Sequence, residues 1–537
     1  MTQRSAKDTG SEPAIDVPTF DEQVVVTFGH QANVPLASMG NRSGVRLSIE
    51  QLSFLLACLL IGAAVAAGFL EPLAAMFRTI PNDYNEGWNA FWADAAMHGR
   101  ALYPAPDSDI ANNYPPLSFF IVGAVGYLVG DDLFAGRLVS LVSFAVVTMC
   151  IYLWLKASGS SRRLAMFGAS LFVALFIAWA PDYIANDDPQ LLAHAIMMTG
   201  LLVLWRGNLT TSSVVAAAVL MLCAGFTKHL LIPLPLVTTV WLALHARRQF
   251  IVWMLASAVT ALLLCGATYA LYGPSFVADL LSARLYSTYR ALKRAREVIV
   301  LCWPAIILML VIVVQLYRSR DRARLADRAL FAVLYALAAG VIGAFSAGGA
   351  GVDRNSFFDF LIGASLCAVL GLEALQALRK RGSSGSSGAW VSAAVICALG
   401  ALVVPLTYRV LNRLTAEEHQ LQTLGAREAD AREVIRLIKG LGPGRAACET
   451  LSLCYWANAG FQVDFFMYGQ KLQMGVLPPS SCKDVFLAPQ MRLVQLEKYR
   501  GEPVSGRLPA SCNDVIHEHY RVLRDSPFSV LLARNDG

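Results

Sequence analysis

The sequence is poor in charged residues: Asp, Glu, Lys and Arg together make up 15% of its 537 residues, whereas a typical soluble domain has about 25%. Hydrophobic residues make up 56%. So few charges cannot cover the surface of a soluble protein of this size, so most of the chain must face lipid or other parts of the protein. The composition therefore excludes a soluble cytosolic enzyme, a disordered hub and a secreted disulfide-rich module.

Several sequence patterns are also missing. No strand precedes a glycine-rich loop and helix, as it would in a nucleotide-sugar fold, and no CxxC pair indicates a zinc site. We find no internal repeat of the kind that many transporters contain. The excess of 44 Lys and Arg over 38 Asp and Glu is small, and in a membrane protein it does not indicate nucleic acid as a partner.

Runs of about 20 apolar residues, the length that crosses a bilayer, recur about eleven times along the chain. We therefore expect an all-α polytopic membrane protein. The predicted spans are 51–70, 138–155, 164–180, 189–205, 211–227, 230–245, 251–272, 298–317, 329–347, 357–378 and 388–408. The apolar stretch 117–130 is too short to cross, and we expect a re-entrant or surface-lying helix there.

Basic residues fall in alternate loops when the stretch 117–130 is not counted as a span. Those loops then lie in the cytoplasm by the positive-inside rule, and the loops between them lie on the outer face. The sequence thus predicts a cytoplasmic disordered tail over 1–50, without a cleavable signal peptide, and a transmembrane domain over 51–408. A small extracytoplasmic α/β domain is predicted over 409–537.

The cysteines follow the same division. Seven of the 11 lie in predicted spans, where they pack as small apolar residues. The other four, Cys448, Cys454, Cys482 and Cys512, lie in the predicted external domain. An even number in an oxidising compartment permits two disulfides, and the sequence leaves all three pairings open.

The first predicted outer loop carries Asp83 and Glu86, followed by a helix that places Trp88, Phe91 and Trp92 on one face. We expect this helix to lie on the membrane surface with its aromatic face in the bilayer. The two carboxylates would then lie just above the membrane. The alternative explanation of the acidic pair is simple capping of the helix.

The second predicted outer loop carries Asp182, Asp187 and Asp188. Capping of the next helix accounts for Asp188 alone. Carboxylates near bilayer depth are costly and usually functional. Together the two loops predict a general base with a hydrogen-bonding or metal-binding partner. A divalent cation such as Mg²⁺ or Mn²⁺ is possible at Asp187 and Asp188, although the sequence does not require a cofactor.

Cationic side chains on the same predicted face would suit an anionic lipid phosphate. The alternative explanation is contact with ordinary membrane-lipid headgroups. The candidates are Lys228 and His229 in a tight turn, Arg290 and Arg294 in the long loop 273–297, and Arg354 with Asn355 after the glycine-rich segment 348–351.

The order of these motifs resembles the GT-C superfamily of membrane glycosyltransferases, in particular bacterial relatives of protein O-mannosyltransferases and lipid A aminoarabinose transferases. The match lies within about the first 380 residues. The matching segments are 83–88, 99–104, the segment 114–117 that begins with Tyr114, 187–189, 227–228 and the glycine-rich loop before Asn355.

This resemblance implies inverting transfer of a sugar from a polyprenyl-phosphate donor to a lipid, glycan or protein acceptor. It places the reaction on the periplasmic face of a bacterial inner membrane. Asp83 would deprotonate the acceptor, Asp188 would orient the acceptor or a cation, and Lys228 and Arg354 would bind the donor phosphate. The family's usual adjacent Asp-Glu pair is absent, because two residues separate Asp83 from Glu86, so either carboxylate could be the base.

Two other classes of protein remain open at this point. A transporter or lipid flippase would place charges near the bilayer midplane on broken helices, whereas the acids here fall at the ends of predicted spans. A non-catalytic assembly protein would use the acidic loops only to bind a partner.

Overall fold

The computed structural model describes residues 48–282, 284–318, 324–381, 386–498, 502 and 504–536. The predicted disordered tail, apart from its last three residues, lies outside the described residues. The first helix begins directly after Ser48, whose side chain accepts from the Gln51 N–H while the Gln51 side chain accepts from the Ser48 N–H. This reciprocal capping satisfies backbone donors that the first turn of a helix leaves free.

Helices form most of the described chain, as expected from the apolar runs. In chain order they are α1 (Ile49–Ala75), α2 (Asn85–Met97), α3 (Leu117–Val129), α4 (Asp132–Ala157), α5 (Arg162–Trp179), α6 (Gln190–Arg206), α7 (Thr211–Thr227), α8 (Pro233–His245), α9 (Arg247–Tyr272), α10 (Pro274–Leu280), α11 (Thr288–Arg318), α12 (Arg324–Ser346), α13 (Phe358–Arg381), α14 (Ser386–Lys439), α15 (Leu451–Trp456), α16 (Phe465–Gln473), α17 (Ser481–Phe486) and α18 (Ala510–His519). The strands are β1 (Ala446–Cys448), β2 (Leu493–Glu497), β3 (Tyr520–Asp525) and β4 (Ser529–Arg534).

Among the described residues, 8 helices are long and apolar enough to cross a membrane: α1, α4, α5, α9, α11, α12, α13 and α14. The chain is therefore a polytopic, mostly helical membrane protein. Helices α6, α7 and α8 have 17, 17 and 13 residues, fewer than the roughly 20 of a typical span. The count of about eleven spans thus stays a prediction. Helix α3 has 13 residues, as short as the sequence suggested.

The loops that follow α1, α5, α7, α9 and α12 lie at one end of the helices, which we call the Asp83 end. There the Asn82 side chain donates to the Ala185 carbonyl at 2.8 Å and joins the loops after α1 and α5. At the opposite end, Arg328 near the start of α12 donates to Glu373 at 2.8 Å. The two acid-rich loops therefore share one end of the molecule, and most basic loops lie at the other.

The aromatic face of α2 is covered by protein, so the expectation that it lies in the bilayer is wrong. The Phe91 ring stacks on Phe461 at 5.2 Å and meets the edge of Tyr455 at 5.5 Å. Trp88 packs against Phe119 of α3 at 5.9 Å. Helical periodicity identifies an apolar face, but it does not say whether lipid or a distant part of the chain will cover it.

Helix α14 runs without a break for 54 residues and crosses the domain boundary predicted between residues 408 and 409. Pro405 lies inside it. The segment after residue 409 is rich in Leu, Ala, Glu, Gln and Arg, which are all good helix formers. The last candidate span therefore continues as a polar helix that leads to the sheet.

The chain ends in a small mixed sheet with the strand order β1-β2-β4-β3. Strand β1 is parallel to β2, with Ala446 opposite Leu493. Strands β2 and β3 are both antiparallel to β4, and β3 has an irregularity between Val522 and Arg524. We call these four strands together with α15–α18 the sheet region. A small α/β unit after the last span was expected, and a sheet of this kind is present.

The four cysteines of the sheet region form two disulfides, Cys448–Cys454 and Cys482–Cys512. The sequence permitted two bridges but could not choose among three pairings. The first bridge links β1 to the short helix α15, and the second links α17 to α18. Because β1 and α15 are close in sequence, the first bridge mainly fixes the local position of α15, which packs on α2.

We predict that Gly87→Ala lowers the thermal stability of the protein. A Cβ at Gly87 would lie 2.1 Å from the Ser452 backbone nitrogen, so α15 would have to move away from α2. Such overpacking costs about 1–3 kcal/mol, more than the roughly 1 kcal/mol that alanine gains over glycine inside a helix. The measurement is the midpoint of thermal unfolding in lipid nanodiscs, followed by tryptophan fluorescence.

The matched control is Gly62→Ala in α1, where a Cβ would have nothing within 4 Å. We expect this variant to be as stable as the wild type or slightly more stable. A Gly87→Ala protein with an unchanged midpoint would contradict the close packing of α2 on α15.

Candidate functional site

Asp83 and Asp188 come together at the Asp83 end of the molecule. Each also caps a neighbouring turn: Asp83 accepts from the Asn85 N–H at 2.9 Å, and Asp188 accepts from the Gln190 N–H at 2.8 Å. Burial, together with the nearby negative charges of Asp188 and Glu86, raises the pKa of Asp83 to about 6. A half-buried carboxyl group with this pKa can gain and lose a proton near neutral pH.

Glu86 is fully buried and forms an ion pair with Arg137 of α4. Arg137 donates to both carboxylate oxygens of Glu86, at 2.8 and 2.6 Å. The backbone N–H groups of Asn82 and Asp187 also donate to Glu86, at 2.7 and 3.1 Å. Both oxygens are thus occupied by donors from the first loop, the second loop and α4, so Glu86 holds these segments together.

Arg137 also donates to backbone carbonyls at the end of the first candidate span, α1. Its remaining donors reach four backbone carbonyls between residues 75 and 80, at 2.7 to 3.3 Å. These carbonyls lie at the end of α1 and in the loop that follows it. A charged side chain buried at this depth needs such a complete set of partners. Arg137 is not among the residues selected from the sequence, although its position directly before a predicted span was a usable signal.

Asp187 and Asp188 are adjacent in the chain, but their side chains have different neighbours. The Asp187 carboxylate packs against α4, where a Cβ on Gly136 would lie 1.9 Å from it. The Asp187 carbonyl accepts from the Asn89 side chain at 2.6 Å. Burial holds the pKa of Asp187 well above its usual range, and the charges of Glu86 and Asp188 add to this. Asp187 therefore belongs to the packing around Glu86.

Asp188 faces Lys228, the residue that directly follows α7. The Lys228 ammonium lies 3.2 and 3.4 Å from the two oxygens of Asp188 and 3.8 Å from the centre of the Tyr114 ring. Lys228 is 1% exposed, so this carboxylate and this ring replace the water that the ammonium has lost. His229 follows, with its ring 6.4 Å from that of Tyr114. The structure thus brings the predicted residues Asp188, Lys228, His229 and Tyr114 together.

A further cation, Arg284, lies beside this group and was not selected from the sequence. It donates to the Ala350 carbonyl of the glycine-rich segment at 3.2 Å. Burial lowers the pKa of Arg284, and its charge interacts with Tyr114 and Asp464. The sequence placed it in the long loop 273–297, but helical spacing favoured Arg290 and Arg294 instead.

Arg290 and Arg294 have partners away from Asp188. Arg290 is exposed and donates to the Gly349 carbonyl at 3.2 Å. Arg294 forms ion pairs with Glu297 at 2.9 Å and with Asp353 at 2.8 Å. The two arginines therefore fix the glycine-rich segment and the residues that follow it.

Arg354 and Asn355 lie in the same segment. Arg354 donates to the Trp179 carbonyl at 3.2 Å and lies 3.8 Å from a carboxylate oxygen of Asp182. The buried Asn355 side chain accepts from the Asp353 N–H at 3.3 Å. The charge of Asp353 also raises the pKa of Asp83, so this segment borders the site. The Asn355 side chain fixes the conformation of the segment.

The sheet region also contributes to the site. Asp464, at the start of α16, accepts from the Trp88 indole N–H at 3.1 Å. The Phe466 N–H donates to the Tyr84 hydroxyl at 3.2 Å, and the Arg507 guanidinium lies 3.8 Å from the centre of the Tyr84 ring. Tyr84 directly follows Asp83, so residues far along the chain position the segment that carries Asp83. Such long-range contacts leave no local signal in the sequence.

A divalent cation at Asp187 and Asp188 stays a prediction. Among the described residues, no group of three His, Cys, Asp or Glu side chains is placed to hold a metal ion. The Asp188 oxygens already contact Lys228, and Asp187 faces α4. No catalytic step is therefore assigned to a metal.

The model of one protein family, described as a 6-pyruvoyl-tetrahydropterin synthase related domain and membrane protein, matches residues 111–276. No curated protein matches the chain. Solved structures of ArnT from Cupriavidus metallidurans are 14% identical to it. The apo form has a TM-score of 0.57 and covers 90% of this chain and 98% of its own. The form bound to undecaprenyl phosphate has a TM-score of 0.56, with 89% and 98% covered.

A second relative is the oligosaccharyltransferase of Archaeoglobus fulgidus, solved with a tethered acceptor peptide. It is 10% identical, with a TM-score of 0.51, and the match covers 83% of this chain and 69% of that one. The chain shares the fold of these two structures, which are GT-C glycosyltransferases. Within this fold, the first-loop and second-loop acids lie side by side at the Asp83 end.

We predict that Arg137→Met strongly destabilises the protein, because it leaves the Glu86 carboxylate buried without its partner. Breaking a buried ion pair in this way costs about 3–5 kcal/mol. The measurement is thermal unfolding in nanodiscs. The control is Arg432→Met, which removes an exposed arginine 3.3 Å from Glu428 and should change the midpoint little.

The double variant Arg137→Met/Glu86→Gln provides a test even if Arg137→Met does not fold. It removes both charges, so part of the lost stability should return. Equal stability of the single and double variants would show that an unpaired charge is not the cause.

Proposed function

We propose that this protein is a glycosyltransferase that moves a sugar from a polyprenyl-phosphate donor to an acceptor, with inversion at the anomeric carbon. The observation that carries the proposal is the meeting of Asp83 with Asp188, Lys228 and Tyr114 at one end of a GT-C fold. The similar ArnT structure holds undecaprenyl phosphate, and the similar oligosaccharyltransferase holds an acceptor peptide. These likenesses support a lipid-phosphate donor and a lipid, glycan or protein acceptor.

We assign the role of general base to Asp83 rather than Glu86. Glu86 is fully buried and both its oxygens accept charged or backbone donors, so an acceptor hydroxyl cannot reach it without breaking the ion pair. Asp83 is half-buried, and its pKa of about 6 suits proton abstraction near neutral pH. In this proposal, Asp83 takes the proton from the acceptor hydroxyl as the oxygen attacks the sugar.

The leaving phosphate gains negative charge as the bond to the sugar breaks, so it needs cations nearby. Lys228 and Arg284 flank Tyr114, and we propose that they bind this phosphate. Burial and the charge of Lys228 lower the pKa of His229 to about 4, so His229 would contribute a hydrogen bond and no charge. Asp188 would hold the Lys228 ammonium in place until the phosphate competes for it. No step in this scheme requires a metal ion.

The remaining predicted residues have supporting roles in this proposal. Arg290 and Arg294 order the glycine-rich segment, and Arg290 is exposed enough to contact lipid headgroups as well. Arg354 lies near Asp182 at the edge of the site. There it would contact the donor phosphate as the donor enters the site. Asp187 and Asn355 are buried packing residues around the site.

We also propose the cellular placement that the basic loops favour. The Asp83 end would face the periplasm of a bacterium, in the inner membrane, with the basic loops in the cytoplasm. Residues 51–408 would form the catalytic transmembrane domain. The sheet region would stand on the periplasmic side, where an oxidising environment maintains its disulfides.

We predict that Asp83→Asn reduces sugar transfer by at least about 100-fold, the lower end of the contribution of a general base, while donor binding is retained. The measurement is consumption of radiolabelled polyprenyl-phosphate hexoses by the purified protein, with binding of the same lipids measured separately. The control is Asp107→Asn, an exposed carboxylate in the same loop, which should behave as the wild type.

Consumption of no polyprenyl-phosphate sugar by the wild type would refute the proposed function. Full activity of Asp83→Asn would instead refute only the assignment of the base. A flippase would move the lipid across the bilayer without consuming it, so the same assay separates that class.

The pH dependence provides an independent prediction. The base must be ionised to act, and the pKa of Asp83 is raised to about 6. We therefore expect kcat/KM to be constant above this pH and to fall about tenfold per pH unit below it. An activity that persists unchanged down to the usual pKa of an aspartate, about 4, would contradict burial of Asp83.

A further inference from the structure

A cleft of about 480 Å³ lies between α2, the turn before α4 and the loop after α15. Asp94 and Arg100 line it from the end of α2, and Asp131 lines it from the turn before α4. Trp456 and Asn458 line it from the sheet region. Its volume falls within the range of small-molecule sites, roughly 300–1,000 Å³. Asp94 is nine residues along α2 from Asn85, so about 14 Å separate the cleft from the start of that helix beside Asp83.

The walls of the cleft are held in place by hydrogen bonds between distant parts of the chain. The Trp456 indole N–H donates to Asp131 at 3.2 Å, and the Tyr455 hydroxyl donates to Asp132 at 3.1 Å. Asn458 has a positive φ of 54°, a conformation that asparagine tolerates better than most residues. These contacts join the sheet region to the start of α4 and leave the Asn458 amide exposed.

The chemistry of the lining excludes several kinds of ligand. Two carboxylates face a single arginine, and Arg100 is already paired with Asp94, so an anion such as a phosphate is disfavoured. The many polar groups disfavour an acyl chain. The described residues provide no group of three metal ligands here, and no strand edge that would bind a peptide lines the cleft.

The same lining suits a neutral molecule that carries many hydroxyl groups. Asp94 Oδ2 and Asp131 Oδ2 already accept from Arg100 and Trp456, and each oxygen keeps a second lone pair that can accept from a hydroxyl. The Asn458 amide can both donate and accept. The aromatic rings of Trp456 and Tyr455 offer apolar surface with a polar edge, which matches the C–H faces of a sugar ring. We propose that this cleft binds a neutral saccharide at a site separate from Asp83.

This proposal does not depend on glycosyl transfer at Asp83. A free glycan chain and the sugar of a lipid-linked glycan share the chemistry that the cleft recognises. The test therefore presents both to the full chain in nanodiscs prepared without glycoside detergents. The free probes are glucose, galactose, mannose, arabinose, maltotriose and cellotriose, and the lipid-linked probe is a polyprenyl-phosphate hexose.

Binding is measured by saturation-transfer NMR for the free probes and by retention of label for the lipid-linked probe. We expect at least one saccharide to bind and its Kd to rise about tenfold or more, or 1.4 kcal/mol, in Asn458→Ala and in Trp456→Ala. The matched control is Asn535→Ala, an exposed asparagine of the sheet region outside the cleft. Both this control and Asp83→Asn should bind as the wild type does.

Trp456→Ala also removes the bond to Asp131 that joins the sheet region to α4, so Asn458→Ala decides the result. Binding of free saccharides that weakens in Asn458→Ala would identify a glycan chain as the source. Binding of the lipid-linked probe that weakens in the same variant would identify a membrane-borne sugar. Absence of binding by every probe overturns the proposal, as does an unchanged Kd in Asn458→Ala. Donor consumption is assayed in parallel, so failure of the cleft and failure of the transferase proposal remain distinguishable.

Discussion

The buried ion pair between Glu86 and Arg137 connects the segments that build the site. Its members are 0% and 1% exposed, so the desolvation of two charges has to be offset by bonds of good geometry. Arg137 supplies these bonds to Glu86 and to the carbonyls after α1, while Glu86 accepts from both acid-rich loops. A long helix, a short helix and two loops thus meet at one pair of side chains. The position of Asp83, three residues before Glu86, depends on this pair.

The ion pair also explains how two acids in one loop come to have different properties. Glu86 accepts from the Arg137 guanidinium through both carboxylate oxygens, so it has a structural role. Among the described residues, Asp83 forms no such ion pair, and burial together with the neighbouring carboxylates raises its pKa to about 6. Desolvation and like charges raise the pKa of a carboxyl group, whereas a guanidinium lowers it. The two acids therefore differ because Arg137 pairs with Glu86 and not with Asp83.

Much of this arrangement could be predicted from the sequence. Apolar runs indicated the long helices, and the acids at their ends indicated a shared site, because alternate helix ends lie on the same side. Lys228 and Tyr114 were identified as candidates, and they lie together beside Asp188. The sequence did not predict contacts between residues that are distant in the chain. The aromatic face of α2 is covered by α3 and α15 rather than lipid, and Arg284 and Asp464 enter through pairings that no local pattern encodes.

The contacts of Tyr84 indicate why a polar sheet region accompanies the membrane helices at all. A loop between two helix ends would not by itself hold Asp83 in one orientation, since loops are generally more mobile than the elements they connect. From the sheet region, Phe466 and Arg507 contact Tyr84, and Asp464 contacts Trp88 one turn further along α2. From the membrane helices, Arg137 of α4 holds the same loop through its ion pair with Glu86. A carboxylate held from two sides would need little reorganisation in the proposed reaction, and low reorganisation is the main electrostatic advantage of a preorganised site.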